Sequence, residues 1–320
     1  MRKFLYFLLL FNILLLVFSC KKEKTFTTSW NELSSPTQLT LNSVFFTNDS
    51  TGHIVGGDRW NASISLKTTD AGNTWTIDSL MGKELYGLHF NNSKSGFAVS
   101  WGGDFYFKDT PQSNWIWHNL SFPFEVFRDV SYWENKNGIV VTGGAFQDGK
   151  IIKVDDSFQA VLVDTFEQEL SAVFHSEKDI VHAVGFGLVL RSTDGGNTWQ
   201  NKGIIGDFFR AIHFPTSQVG YVVGSSGSII KTEDAGNTWS FIRNGDNLST
   251  SNEPFRSVFF TDNENGYIVG ERGLFWKTED GGETWEVIEE FIDEDFHDVF
   301  VINDRGYIVG KNGQIISFKN

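Results

Sequence analysis

The chain has 320 residues, 15% of them aromatic, with five prolines and a single cysteine. Its 26 lysines and arginines against 40 aspartates and glutamates give a formal charge of −14, a surface that repels nucleic acid rather than gripping it. Length and aromatic content are enough to bury a large core, which sets the chain apart from disordered ones, and one cysteine excludes an intrachain disulfide framework.

Arg2 and Lys3 precede an apolar run from Phe4 to Phe18 broken only by Asn12. Its 15 residues are short for a membrane span of roughly 20, and the order of basic, apolar and small residues is that of a secretory signal. The run stops at Ser19-Cys20, followed by Lys21, Lys22, Glu23 and Lys24. This pattern resembles a bacterial lipoprotein signal, in which the cysteine becomes the lipidated first residue; an uncleaved anchor or ordinary secretion is the alternative. The expected organisation is a signal at 1–19, a lipidated tether at 20–26 and a folded body at 27–320. Losing Arg2 and Lys3 leaves 24 cations against 40 acids, or −16. The expected setting is the bacterial envelope: a monomer, lipid-anchored to a membrane, the outer one in a Gram-negative cell, and periplasmic or surface-exposed.

Beyond the tether one order of segments recurs: a strand such as VFF, a polar turn, a strand such as GYIVG, a tight glycine turn, a third strand, a short box and a fourth strand. Copies begin at Leu41, Leu85, Phe127, Leu170, Phe209, Phe255 and Phe296. Those at Leu85 and Phe127 are degenerate, the first carrying Trp115 and Trp117 without a box. The last stops after three strands, and the segment Thr27 to Ser35 reads like its missing fourth. Units of roughly 43 residues closed by the N-terminus predict an all-β fold, a seven-bladed β-propeller of four-stranded blades. A solenoid repeats with shorter units, and no sustained 3.6-residue period supports helices.

The box is written KTTDAGNTW at 67–75, RSTDGGNTW at 191–199, KTEDAGNTW at 231–239 and KTEDGGETW at 277–285. A catalytic motif has little reason to appear four times. Asp70, Asp194, Asp234 and Asp280 suit acceptance from turn amides, the following glycines suit positive φ, and Trp75, Trp199, Trp239 and Trp285 suit packing between sheets. These residues read as structural. The pattern resembles the Asp-box, or bacterial neuraminidase repeat, of sialidase-like, sortilin-like and photosystem II stability/assembly factor-like propellers.

The position just before each first strand reads Asn42, Tyr86, Arg128, Ser171, Arg210, Arg256 and His297. Strand direction puts these at one mouth of the central channel, away from the boxes. Trp101, Phe186, Arg272 and Lys311, from the turns between second and third strands, share that rim. Either carboxylates such as Asp129, Asp207, Glu253 and Asp298 neutralise the arginines, or an anionic group of a ligand does. The candidate ligand-binding residues are Arg128, Arg210, Arg256, His297, Tyr86, Trp101, Arg272 and Lys311. No catalytic residue, metal or cofactor is expected. TDNENG at 261–266 opens like a calcium loop, but Gly273 stands where a bidentate carboxylate is needed, and no HExxH, GxSxG or Cys-His pair occurs.

The GYxVG strands, the FRxVxF segments and the single ring most resemble the photosystem II stability/assembly factor family. That resemblance implies a non-enzymatic scaffold using an arginine-rich face for a reaction-centre protein precursor, carried here by Arg128, Arg210 and Arg256, with His297 and Ser171 departing from arginine. The expected partner is an envelope protein or peptide with an anionic group. The alternative is a sialidase-like or other glycoside hydrolase, whose carboxylate-binding arginine trio is similar. The sialidases, however, have six blades and an FRIP-type segment that is absent here.

Overall fold

The structure is a computed structural model that describes residues 29–79, 82–91, 94–134, 137–144, 148–288, 291 and 294–319. Cys20, the expected signal and the tether lie outside the described residues. Seven four-stranded antiparallel sheets form a β-propeller, as the repeats predict. The first strands run Thr40–Phe46, Leu85–Phe90, Phe127–Trp133, Leu170–His175, Phe209–His213, Phe255–Phe260 and Phe296–Ile302.

Burial follows position within a blade. Second strands such as Gly220–Gly224 and Gly266–Gly270 are buried throughout because a neighbouring blade covers each face, so they read as unbroken apolar runs. Fourth strands such as Gln200–Asn201 are exposed at the perimeter. The core is divided among wedges between blades. Tyr307, Val309 and Ile315 of the last blade pack with Leu41, Val44 and Phe46 of the first; Tyr221 and Val223 of the fifth pack with Phe255 and Val258 of the sixth. No blade buries its faces alone, so stability depends on the ring.

A ring stack recurs at these wedges. Tyr221 lies on Phe260 at 3.6 Å and 4°, Phe97 on Tyr132 at 3.7 Å and 3°, Tyr307 on Phe46 at 4.0 Å and 18°, and His182 on Phe214 at 4.3 Å and 20°. The glycine opening the second strand makes room for the aromatic ring: a Cβ on Gly266 would meet a Phe260 ring carbon at 2.4 Å, and one on Gly220 would meet Phe214 at 2.4 Å.

The last blade takes its fourth strand from the N-terminus. Trp30, Asn31 and Glu32 pair with Phe318, Ser317 and Ile316. The Leu33 amide adds a bond to the Ile315 carbonyl at 2.8 Å, and the Lys319 amide one to Ser29 at 3.1 Å. Asp298, half-buried beside the channel, locks the same junction from inside. Its carboxylate accepts from the Val44 amide at 2.9 Å and the Ser43 hydroxyl at 3.1 Å in the first blade, and from the Ser257 hydroxyl at 2.7 Å in the sixth.

The second blade lacks the box, as its sequence implies: none of residues 109–115 has the positive φ that each box carries at two successive residues, yet a tryptophan still reaches the wedge. The turn after Lys108 bonds Thr110 to Ser113 and delivers Trp115, whose Nε1 donates to Ser65 Oγ at 3.1 Å across the wedge. Gly266→Ala is expected to destabilise the protein by about 1–3 kcal/mol through overpacking, read as a lower urea midpoint. An unchanged midpoint would contradict the close-approach role of this glycine.

Candidate functional site: the arginine mouth

In all seven blades the ladder between first and second strands slips at the same point: Leu41/Ser43, Leu85/Gly87, Phe127/Asp129, Leu170/Ala172, Phe209/Ala211, Phe255/Ser257 and Phe296/Asp298. The residue skipped is Asn42, Tyr86, Arg128, Ser171, Arg210, Arg256 or His297. A β-bulge re-aims its extra residue, and these seven half-buried side chains line one central channel of about 530 Å³. The sequence reading set them just before the first strands; they lie inside those strands instead, and the bulge is what turns them toward the channel.

Their contacts differ. The Arg256 guanidinium is ion-paired with Glu271. Arg128 donates from Nε to the Gly143 carbonyl and lies over the Tyr86 ring at 4.8 Å. Arg210 donates from Nε to Ser225 Oγ and lies over Phe208 at 3.7 Å. Among the described residues, no carboxylate is within 4.0 Å of either of these two guanidiniums. Burial, then Arg256 and Arg128, push Arg210 down to about 10. Tyr86 donates to Glu84 at 3.0 Å and is pushed up to about 12 by burial and by that carboxylate. His297 bonds Asn42 Oδ1 through Nδ1 at 2.9 Å, and burial, then Arg256 and Lys311, hold it down to about 4.

The carboxylates named from the sequence as neutralisers are engaged elsewhere. Asp298 bridges blades as described. Asp129 accepts from the Val130 amide at 2.8 Å and the Val173 amide at 2.9 Å, and burial still raises it to about 7. Asp207 caps the amides of Phe208, Ser226 and Ser228. Glu253 acts on Arg243. The acids that do bond the ring, Glu271 on Arg256 and Glu84 on Asn42 and Tyr86, were missed; the signal of Glu271 was its place directly after the GYIVG strand.

Of the other rim residues, Trp101 bridges Val126, and its ring touches Trp60. The exposed Arg272 donates to the Asn252 carbonyl at 3.2 Å, and Lys311 pairs with Asp295. These three stand on the surrounding rim, outside the channel lining. Deeper in, Phe174, His213, Phe259, Phe300, Phe45 and His89 form a chain of ring contacts at 5.5, 4.4, 5.0, 4.9 and 6.0 Å, an aromatic floor opposite the charged mouth.

At the far face the four boxes share one geometry. Asp194 accepts from the Ser192 hydroxyl at 2.8 Å and from the Thr198 amide and hydroxyl at 2.9 and 2.6 Å. Burial works to raise it, but these bonds outweigh burial and hold it down to about 2. Asp70, Asp234 and Asp280 accept the corresponding bonds. Gly72, Gly196, Gly236 and Gly282 have φ of 74°, 83°, 76° and 87°. Trp75, Trp239 and Trp285 stand edge-on to Phe46, Phe214 and Phe260, each at 5.9 Å, while Trp199 packs at the wedge between the third and fourth blades. Box carbonyls reach the preceding blade: Tyr307 donates to Ala71 at 2.8 Å and Tyr221 to Gly281 at 3.1 Å. With their carboxylates and the paired Ser/Thr hydroxyls used internally, the boxes brace the ring.

Residues 205–290 and 247–319 match the family described as Photosynthesis system II assembly factor YCF48. That match takes in the last three blades, so the chain resembles this family over its C-terminal part. It is 26% identical over 174 residues to the Photosystem II assembly lipoprotein Ycf48 of Trichormus variabilis, covering 52% of this chain and 50% of that protein. To the Photosystem II assembly protein Ycf48 of Thermosynechococcus vestitus it is 26% identical over 182 residues, 53% of this chain and 51% of that one. It thus spans about half the length of the curated relatives it matches. Among solved structures, YCF48 from Cyanidioschyzon merolae superposes with a TM-score of 0.70 at 15% identity, covering 91% of this chain and 99% of that one. YCF48 bound to D1 peptide gives 0.69 at 15%, covering 92% and 95%. A streptogramin B lyase gives 0.75 at 11%, covering 91% and 97%. At these identities the superpositions show the fold alone.

The propeller carries an acid-sensitive interior. Burial is the first cause holding His53 down to about 2, His175, His182 and His213 to about 3, and His89 and His297 to about 4. Folded values below the unfolded value of 6.5 mean that the unfolded chain binds more protons, so stability falls as pH drops below about 6.5. Asp129 and Asp298, raised by burial, act in the opposite sense but are outnumbered. The urea midpoint is therefore expected to be clearly lower at pH 5 than at pH 7; an equal or higher midpoint would contradict this balance.

Proposed function

We propose that the protein is a non-enzymatic scaffold of the bacterial envelope that holds an anionic segment of a partner protein at the arginine mouth. The observation that carries this reading is the pair Arg128 and Arg210, with no carboxylate within 4.0 Å among the described residues, in a chain of net charge −14. Guanidinium forks match carboxylate and phosphate groups, and an anion bound here relieves the repulsion that lowers Arg210. Relatives named as assembly factors, one of them solved with a D1 peptide, support a peptide or protein partner. Against a glycoside hydrolase, Asp129 and Asp298 spend their oxygens between blades, whereas retaining hydrolysis needs two carboxylates that both reach the sugar.

The tether geometry supports presentation of the mouth. Trp30, the first residue of the closing strand, lies with Phe318 at the box face, and Glu32 lies nearer the mouth. Nine residues from Cys20 to Ser29 reach at most about 30 Å. A lipid on Cys20 would thus attach the propeller through the strand that begins at its box face, opposite the arginines.

In pull-downs from the native envelope, full-length Arg128→Ala/Arg210→Ala protein is expected to recover partner proteins at least tenfold less well than wild type. Equal recovery would contradict the proposal. Turnover of a sialoside or another aryl glycoside, lost in Arg210→Ala, would favour the hydrolase instead.

A further inference from the structure

Two aromatic ledges flank the mouth. On the first and second blades, Trp60, 59% exposed, touches Trp101, while Tyr86 lies below with the Arg128 guanidinium over its ring. The adjoining loop holds out Phe124, 74% exposed, with its amide bonded to the Gly102 carbonyl and φ of 68°. Left-handed backbone at a bulky residue is strained, and the loop leaves this ring largely exposed. On the fourth and fifth blades, Phe186, 57% exposed, bridges Phe208, with their rings edge-on at 5.8 Å. Phe208 carries Arg210 over its face, and Ile205, 72% exposed, stands in the same connection.

The ledges are three blade steps apart in a ring of seven, nearly across the mouth from each other. Each one includes one of the two guanidiniums with no carboxylate paired among the described residues. A row with apolar surface at both ends and cations between matches the inverse pattern in a chain.

Resting on the proposed anionic-partner reading, we propose that the mouth binds an extended peptide segment whose acidic residues are flanked on both sides by large apolar side chains. The acids meet Arg128 and Arg210; the apolar side chains seat on Trp60 with Trp101 and on Phe186 with Ile205. Charge complementarity selects an acidic occupant. A peptide is favoured over an anionic membrane because the guanidiniums are recessed at half-buried channel positions, which a flat bilayer reaches poorly, and because the closing strand begins at the opposite face.

Panning a random dodecapeptide phage library against the full-length protein in detergent micelles tests this, with the enriched peptides then measured by fluorescence anisotropy. Enrichment of Asp or Glu between aromatic or large aliphatic residues is expected. Trp60→Ser and Phe186→Ser should each weaken binding about tenfold without changing the urea midpoint or the salt dependence, whereas Arg128→Ala/Arg210→Ala should weaken binding and flatten the salt dependence. Acidic peptides that need the arginines but ignore both aromatic variants would overturn the ledges and leave the anionic-partner reading standing. Peptides that ignore the arginines, or no enrichment at all, would overturn both. Phosphatidylglycerol vesicles outcompeting every peptide, with dependence on Trp60 and Phe186, would replace the peptide with a membrane.

Discussion

Closure of the ring is the constraint on which the rest depends. Because the core consists of wedges between blades, the last blade must meet the first, and the chain makes that join with strand pairing outside and a half-buried carboxylate inside. Three residue pairs, Trp30 to Glu32 with Phe318 to Ile316, complete the outer sheet, and Asp298 ties the sixth, seventh and first blades beside the channel. Burying an acid is costly unless its oxygens are fully used, and those of Asp298 are.

Once the ring is closed, a small local irregularity becomes a site. One bulged residue in a hairpin does little, but the same bulge repeated around a closed wheel turns seven side chains toward one opening. That convergence is what makes sequence-distant arginines neighbours. Two guanidiniums about 8 Å apart repel by roughly 2 kcal/mol at an effective dielectric near 20. The fold bears this through ring faces under Arg128 and Arg210 and a carboxylate beside Arg256 alone. The division of labour between faces follows: carboxylates and hydroxyls of the boxes are turned inward for bracing, and polar groups at the mouth are left partly unanswered.

Much of the architecture was legible because each blade repeats its own instructions. The glycine at the start of most second strands, the four boxes and the truncated last copy were enough to give seven blades and their closure. Less legible were features that need two blades at once. The ring stack of Tyr221 on Phe260 joins residues on different blades, and Asp129 and Asp298 look like mouth carboxylates until their amide and hydroxyl partners in neighbouring blades are seen. The turn after Lys108 takes a different path from the boxes, without their positive-φ pair, and keeps only the wedge tryptophan, Trp115. In the site, the seven ring positions could be counted from the sequence, but Glu271 and the exposed setting of Phe124 and Phe186 required three dimensions.

The most direct test of the central claim is photocrosslinking in living cells, with p-benzoylphenylalanine placed at Phe186 on the mouth rim or at Asn73 in a box turn. The account predicts discrete protein adducts from position 186 and none from position 73. Adducts from position 73 with none from position 186 would contradict it, placing the working surface on the braced face.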